Sequence, residues 1–118
     1  MQKPIFAMKN LKVRLIHQHI KELNEACLSH KVDKLYVFGS ILTEKFNEAS
    51  DMDFVVSISS DDPIEYAENY FELKFELERI FGRKIDLLEQ KAIKNRVFEN
   101  LLNEQKMLVY ARGSQSMA

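Results

Sequence analysis

Gly39-Ser40 is followed by ten residues, Ile41 to Ser50, and then by Asp51-Met52-Asp53. The dipeptide closes one apolar run, "KLYVF", and the Asp-x-Asp opens another, "DFVV". Alternate residues of a strand point to the same face, so Asp51 and Asp53 share a side, with backbones roughly 6.5 Å apart. Side chains of that length converge on one small object. A third acid, Asp86 in "KIDLLEQ", also interrupts an apolar strand. Ionised carboxylates gathered in one place repel, and either one takes up a proton or a cation joins them. An all-oxygen donor set points to a hard divalent ion, Mg²⁺ or Mn²⁺. Pairs of such ions serve in-line displacement at phosphorus. Gly39 lets a backbone approach closely. Ser40, at a helix start, offers a hydroxyl and a donor-rich helix end to phosphate oxygens.

The elements that must hold these residues follow from periodicity. Leu11, Leu15, Ile16, Ile20, Leu23 and Cys27 recur at helical spacing and predict a helix from about Asn10 to His30. Leu35 to Phe38 reads as a strand cut by Gly39, and Ile41 to Asn47 as about two helical turns. Asp53 to Ser59 is a second strand with Phe54, Val56 and Ile58 on one face. Asp62-Pro63-Ile64-Glu65 starts a long helix, and Gly82 stops it. Tyr66, Tyr70, Leu73, Leu77 and Ile80 mark its inner face, widened by Ile64, Ala67, Phe71 and Phe75. Lys84 to Leu88 is a third strand. Asn95 to Gln105 is a helix with Val97, Phe98, Leu101 and Leu102 inward, and Met107 to Ala111 is a last strand.

This α-β-α-β-α-β-α-β order is an α/β (α+β) domain: a small mixed β-sheet with helices packed against it. The helix from Pro63 to Phe81 is long enough for a crossover, which makes the strands it joins parallel. Asp53 and Asp86 then lie near the starting ends of neighbouring strands. If the short connection after Phe38 reverses the chain, Gly39-Ser40 meets Asp51 at the same edge.

A length of 118 residues with 46% apolar content makes one domain with a real core, expected over residues 1–112, with a small polar tail over 113–118. A net charge of -1 gives no electrostatic grip on nucleic acid or membrane. The single cysteine, Cys27, excludes an internal disulfide and reads as a small core residue. With no apolar stretch long enough to span a bilayer and no signal-peptide pattern, the expected location is the cytoplasm. His17 and His19 are two apart on a helix and do not face one site, and His30 near a helix end favours the dipole. Lys91, Lys94 and Arg96 follow Asp86 closely and are candidates for contact with phosphate or a partner.

Gly39-Ser40, ten residues, Asp51-Met52-Asp53 and a third acid, Asp86, resemble the signature of the minimal nucleotidyltransferase family, within the DNA polymerase beta-like superfamily. The flanks "KLYVFGS", "SDMDFVV" and "KNRVFENLLNEQKMLVY" extend the resemblance from about Leu11 to Tyr110. The family often carries Arg or Tyr after Gly-Ser and Gly at position 44; this chain has Ile41 and Glu44. The resemblance implies transfer of AMP from ATP to an acceptor hydroxyl. Asp51, Asp53 and Asp86 would be the metal-holding and catalytic residues, and Gly39 and Ser40 the nucleotide-binding ones. It also implies a partner, because little of the chain is left over to bind an acceptor. Family members of this size pair with HEPN-domain toxins and modify a toxin tyrosine as antitoxins. Self-association is also open. Two other readings fit the same residues: a partner-binding or nucleotide-binding regulatory module without turnover, and an aminoglycoside-type small-molecule nucleotidyltransferase.

Overall fold

The computed structural model describes residues 14–113. The polar tail expected over 113–118 lies outside the described residues beyond Gly113, as does the expected helix start at Asn10. Residues 14–18 are helical, His19 makes a turn, and α1 spans Ile20–Ser29. The single helix expected up to His30 is therefore interrupted. The His19 amide donates to the Ile16 carbonyl at 3.0 Å and its ring meets Glu22 at 3.0 Å, a local bonding pattern that competes with the helical ladder.

β1 (Val32–Phe38) follows, then a single 3-10 turn at Gly39–Leu42, then β2 (Met52–Ile58). The two helical turns expected over Ile41 to Asn47 do not form. Thr43 satisfies the Ser40 carbonyl with both its amide, at 2.9 Å, and its hydroxyl, at 2.8 Å. The Asn47 and Ser50 side chains then fold the chain into turns, with Ser50 Oγ accepting from the Asn47 amide at 3.0 Å. Ile41 alone is buried there, so no apolar stripe rewards a longer helix.

The long helix α2 (Pro63–Phe81) forms as its ends dictate. Asp62 caps it by accepting from the Ile64 amide at 3.0 Å, Pro63 fits the first turn, and Gly82 ends it in the left-handed region at φ 63°. Its buried face is narrower than expected. Leu73, Leu77, Ile80 and Phe81 are buried, Tyr66 and Tyr70 are half-buried, and Ile64, Ala67, Phe71 and Phe75 are exposed. A helix on one face of a four-stranded sheet covers only about 100° of its circumference, and these four fall outside that arc.

β3 (Ile85–Glu89), α3 (Arg96–Gln105, capped by Asn95) and β4 (Met107–Ala111) complete the chain. The sheet order is β3-β2-β1-β4, with β2–β3 parallel and the other pairs antiparallel. The mixed sheet, the reversal between β1 and β2 and the crossover through α2 all match the sequence reading. Leu35, Val37, Met52, Phe54, Val56, Ile85 and Leu87 join α1 and α2 in one buried core on one face of the sheet. The opposite face carries Val55 and Leu102, which are buried outside that core. On α3 only Leu102 is buried; Val97, Phe98 and Leu101 are exposed, contrary to the inward placement expected. α3 buries Leu102 alone, so most of its apolar stripe stays open. No helix among the described residues is long and apolar enough to cross a membrane.

Candidate active site

The open face owes its chemistry to strand register. Phe38, Asp53 and Asp86 are partners in a row across β1, β2 and β3. Side chains alternate along each strand. Since Met52 and Phe54 enter the core, Asp53 faces the other way, and Asp86 does the same between Ile85 and Leu87. Both open onto a cleft of about 280 Å³ whose lining includes Phe38, Tyr70, Lys74, Leu88 and Phe98. Asp51, exposed just before β2, acts on the same spot through its charge.

Asp53 is half-buried, and its carboxyl is pushed up from 3.8 to about 6. Burial is the first cause; a hydrogen bond with Asp86 that favours the protonated form, repulsion by Asp86 and repulsion by Asp51 follow. Two carboxyls this close hold either a proton or a cation between them.

Gly39 is required twice over. Its φ of 78° lies where an L side chain is strained, and an added Cβ would strike the Asp53 carboxylate, clashing with Oδ2 and coming within 3.2 Å of Cγ. The turn after β1 is thus wrapped directly against Asp53. Ser40 is half-buried at the same turn. Ile41 is buried at 1% exposure and belongs to the core, and Glu44 is exposed.

Arg83, which the sequence did not single out, and Tyr70, read there only as part of the inner face of the long helix, hold this arrangement. Arg83 Nη1 donates to the Asn47 carbonyl at 3.1 Å and the Ser50 carbonyl at 2.9 Å, and its guanidinium lies 4.7 Å from the Phe46 ring centre. It ties down the loop that ends at Asp51. Tyr70 donates its hydroxyl to the Leu87 carbonyl at 2.5 Å and so fixes α2 to the exposed edge of β3. A tyrosine at helical spacing gives no sign of which carbonyl it will reach.

The other candidates lie elsewhere. His30 donates from Nδ1 to the Ala26 carbonyl at 2.8 Å and meets Glu72 at 3.3 Å, and His17 is exposed on the first helical segment. Cys27 is fully buried and its thiol is pushed far up by burial, the opposite of a reactive nucleophile. Lys91 sits 4.4 Å above the Tyr66 ring; Lys94 and Arg96 are exposed at the start of α3.

Among the described residues no three His, Cys, Asp or Glu side chains form a closed metal-ligand cluster in this conformation. The donor chemistry of Asp51, Asp53 and Asp86 nevertheless fits a hard divalent cation: all ligands are carboxylate oxygens, and a cation would offset the burial and the neighbouring negative charge that raise the Asp53 carboxyl.

A mixed sheet with paired acids on its open face and a tight glycine turn beside them is the arrangement that the resemblance to nucleotidyltransferases implies. Residues 18–113 match the family described as Polymerase beta, Nucleotidyltransferase, and the chain belongs to that family. A Methanocaldococcus jannaschii protein named "Putative protein adenylyltransferase" is 30% identical over 95 residues, covering 80% of this chain and 91% of its own length. A second protein of that organism with the same name is 30% identical over 77 residues, covering 65% of this chain and 80% of its own. Among solved structures, a minimal nucleotidyltransferase superposes with a TM-score of 0.66 at 19% identity, over 80% of this chain and 93% of that one. A protein described as a toxin-antitoxin with AMP-PNP superposes with a TM-score of 0.60 at 18% identity, over 80% and 74%. These two likenesses are of fold.

Proposed function

We propose that the chain is a Mg²⁺-dependent protein adenylyltransferase that moves AMP from ATP to a tyrosine hydroxyl of a HEPN-domain toxin, and so acts as its antitoxin. The observation that carries this reading is the register of Asp53 against Asp86 on an open cleft, with the Gly39 turn closed against Asp53. The names of the archaeal relatives support the acceptor class, and the AMP-PNP-bound fold neighbour supports the nucleotide.

In this reading Asp51, Asp53 and Asp86 would hold a divalent cation, which would supply positive charge where the transferring phosphoryl group accumulates negative charge. The Gly39-Ser40 turn holds the triphosphate. The acceptor oxygen forms a bond to the α-phosphorus as the bond to the bridging β-oxygen breaks, and pyrophosphate leaves. Asp86, exposed at the cleft, takes the acceptor's proton. The cleft supplies positioning and charge compensation, which is most of what phosphoryl-type transfer needs.

The test is incubation with α-labelled ATP and Mg²⁺, with and without a HEPN-domain toxin, followed by mass spectrometry of both chains. Label on a partner tyrosine, lost in a folded Asp53→Asn variant, is expected. Neutralisation of the toxin by Asp53→Asn would instead make the chain a binding module, and label on an aminoglycoside would move the acceptor to small molecules.

A further inference from the structure

The cleft that holds Asp53 and Asp86 has one cation among its described lining residues, Lys74, and the scheme above gives it no task. Its place follows from α2. Because β2 and β3 are parallel and α2 joins them, α2 runs back against both strands, from the far end of the sheet to the end where Asp53 and Asp86 sit. Tyr70 is fixed on this path by its bond to the Leu87 carbonyl. Lys74 lies four residues further on, on the same side of the helix and about 6 Å further along its axis toward the end of the sheet that carries the carboxylates. The side chain is half-buried and makes no ion pair among the described residues. Lys74 thus lines the same cleft as Asp53 and Asp86 without an ion pair to either.

We infer that Lys74 is a nucleotide-binding residue that holds a non-transferred phosphate of the triphosphate; the inference rests on the nucleotidyltransferase reading and names one more side chain of that site. The acids and their cation answer one another's charge. The tail of a nucleoside triphosphate brings further negative charge that the Gly39-Ser40 turn meets with dipoles alone. A lysine ammonium is a point charge on a flexible stem, suited to a phosphate whose position shifts as pyrophosphate leaves. Loss of such a contact weakens both nucleotide binding and the leaving-group step.

The test uses the full chain, Mg²⁺ and AMP-PNP, with affinity read by calorimetry and transfer read with α-labelled ATP. Lys74→Met is expected to weaken AMP-PNP binding at least ten-fold, to flatten its salt dependence and to raise KM for ATP more than it lowers kcat. Lys74→Arg restores most of the affinity, and Lys21→Met, on the exposed side of α1, changes nothing. Thermal midpoints of all three are compared with that of the parent, and Lys74→Gln replaces Lys74→Met if the latter fails to fold. Unchanged affinity and KM in a folded Lys74 variant overturns the assignment. A parent chain that binds no Mg²⁺–AMP-PNP overturns the nucleotidyltransferase site itself, and Lys74's role with it, which separates the two failures.

Discussion

Asp53 and Asp86 stand opposite each other across the parallel β2–β3 pair, so that an acid 33 positions away in sequence adds, after burial, to the upward push on the Asp53 carboxyl. The fold tolerates this repulsion at the open face of the sheet, while the flanking Met52 and Phe54 are buried in the core on the other face. That cost has measurable consequences.

Asp53→Asn is expected to abolish AMP transfer, by at least about 10²-fold, while stabilising the metal-free protein at neutral pH. The sign follows from linkage. The Asp53 carboxyl is raised in the folded chain, so the folded state holds its proton more tightly than the unfolded state, and stability is lost as pH climbs from 3.8 to about 6. Because the group is half-exposed, solvent screening leaves about 1 kcal/mol of this penalty. Denaturant titration of parent and variant should give equal stabilities near pH 3.5 and a more stable variant at pH 7.5; a less stable variant at pH 7.5 contradicts the raised carboxyl.

Mg²⁺ should stabilise the parent at pH 7.5 by neutralising the ionised acids, and chelation by EDTA should reverse the effect and stop transfer. The thermal midpoint of Asp53→Asn should respond far less to Mg²⁺. Equal responses of parent and variant place the ion elsewhere.

Gly39→Ala meets two obstacles, a left-handed φ and the Asp53 carboxylate. A cost of about 1–2 kcal/mol is expected from the backbone alone, with activity lost as Asp53 is pushed aside. A fully active Gly39→Ala protein of parental stability is incompatible with the turn described above.

Arg83→Met removes both donors to the loop carbonyls of Asn47 and Ser50. The loop that delivers Asp51 should loosen, raising the Mg²⁺ concentration needed for half-maximal transfer, while Arg83→Lys recovers part of the loss. Unaltered Mg²⁺ dependence in Arg83→Met removes Arg83 from any positioning role.

Cys27 should be silent toward thiol reagents in the folded protein and react at one equivalent on unfolding, because it is fully buried and its thiol is held protonated. Rapid labelling of the native chain contradicts the packing of α1.

The sequence made the sheet legible because its strands are bounded by unmistakable punctuation: Gly39, the Asp62-Pro63 start and Gly82. The register of Asp53 and Asp86 was legible as a consequence, since a crossover helix of 19 residues leaves little freedom in how two parallel strands align. Burial on the helices was not. Phe71, Phe75, Val97 and Leu101 have helical spacing and apolar character, and nothing local states how much of each helix the sheet will cover. The loop from Thr43 to Ser50 failed for a different reason: side-chain bonds from Thr43, Asn47 and Ser50 outbid the helix that its length allows. The bonds of Arg83 and Tyr70 were invisible because their partners are main-chain carbonyls in other segments.

The most direct measurement is a crystal of the full chain grown with Mn²⁺ and AMP-PNP, read at the manganese absorption edge. An anomalous peak bridging the carboxylates of Asp53 and Asp86, with the triphosphate laid against the Gly39-Ser40 turn, is the expected result. A nucleotide bound away from that cleft, or a manganese ion that touches neither acid, contradicts the central claim.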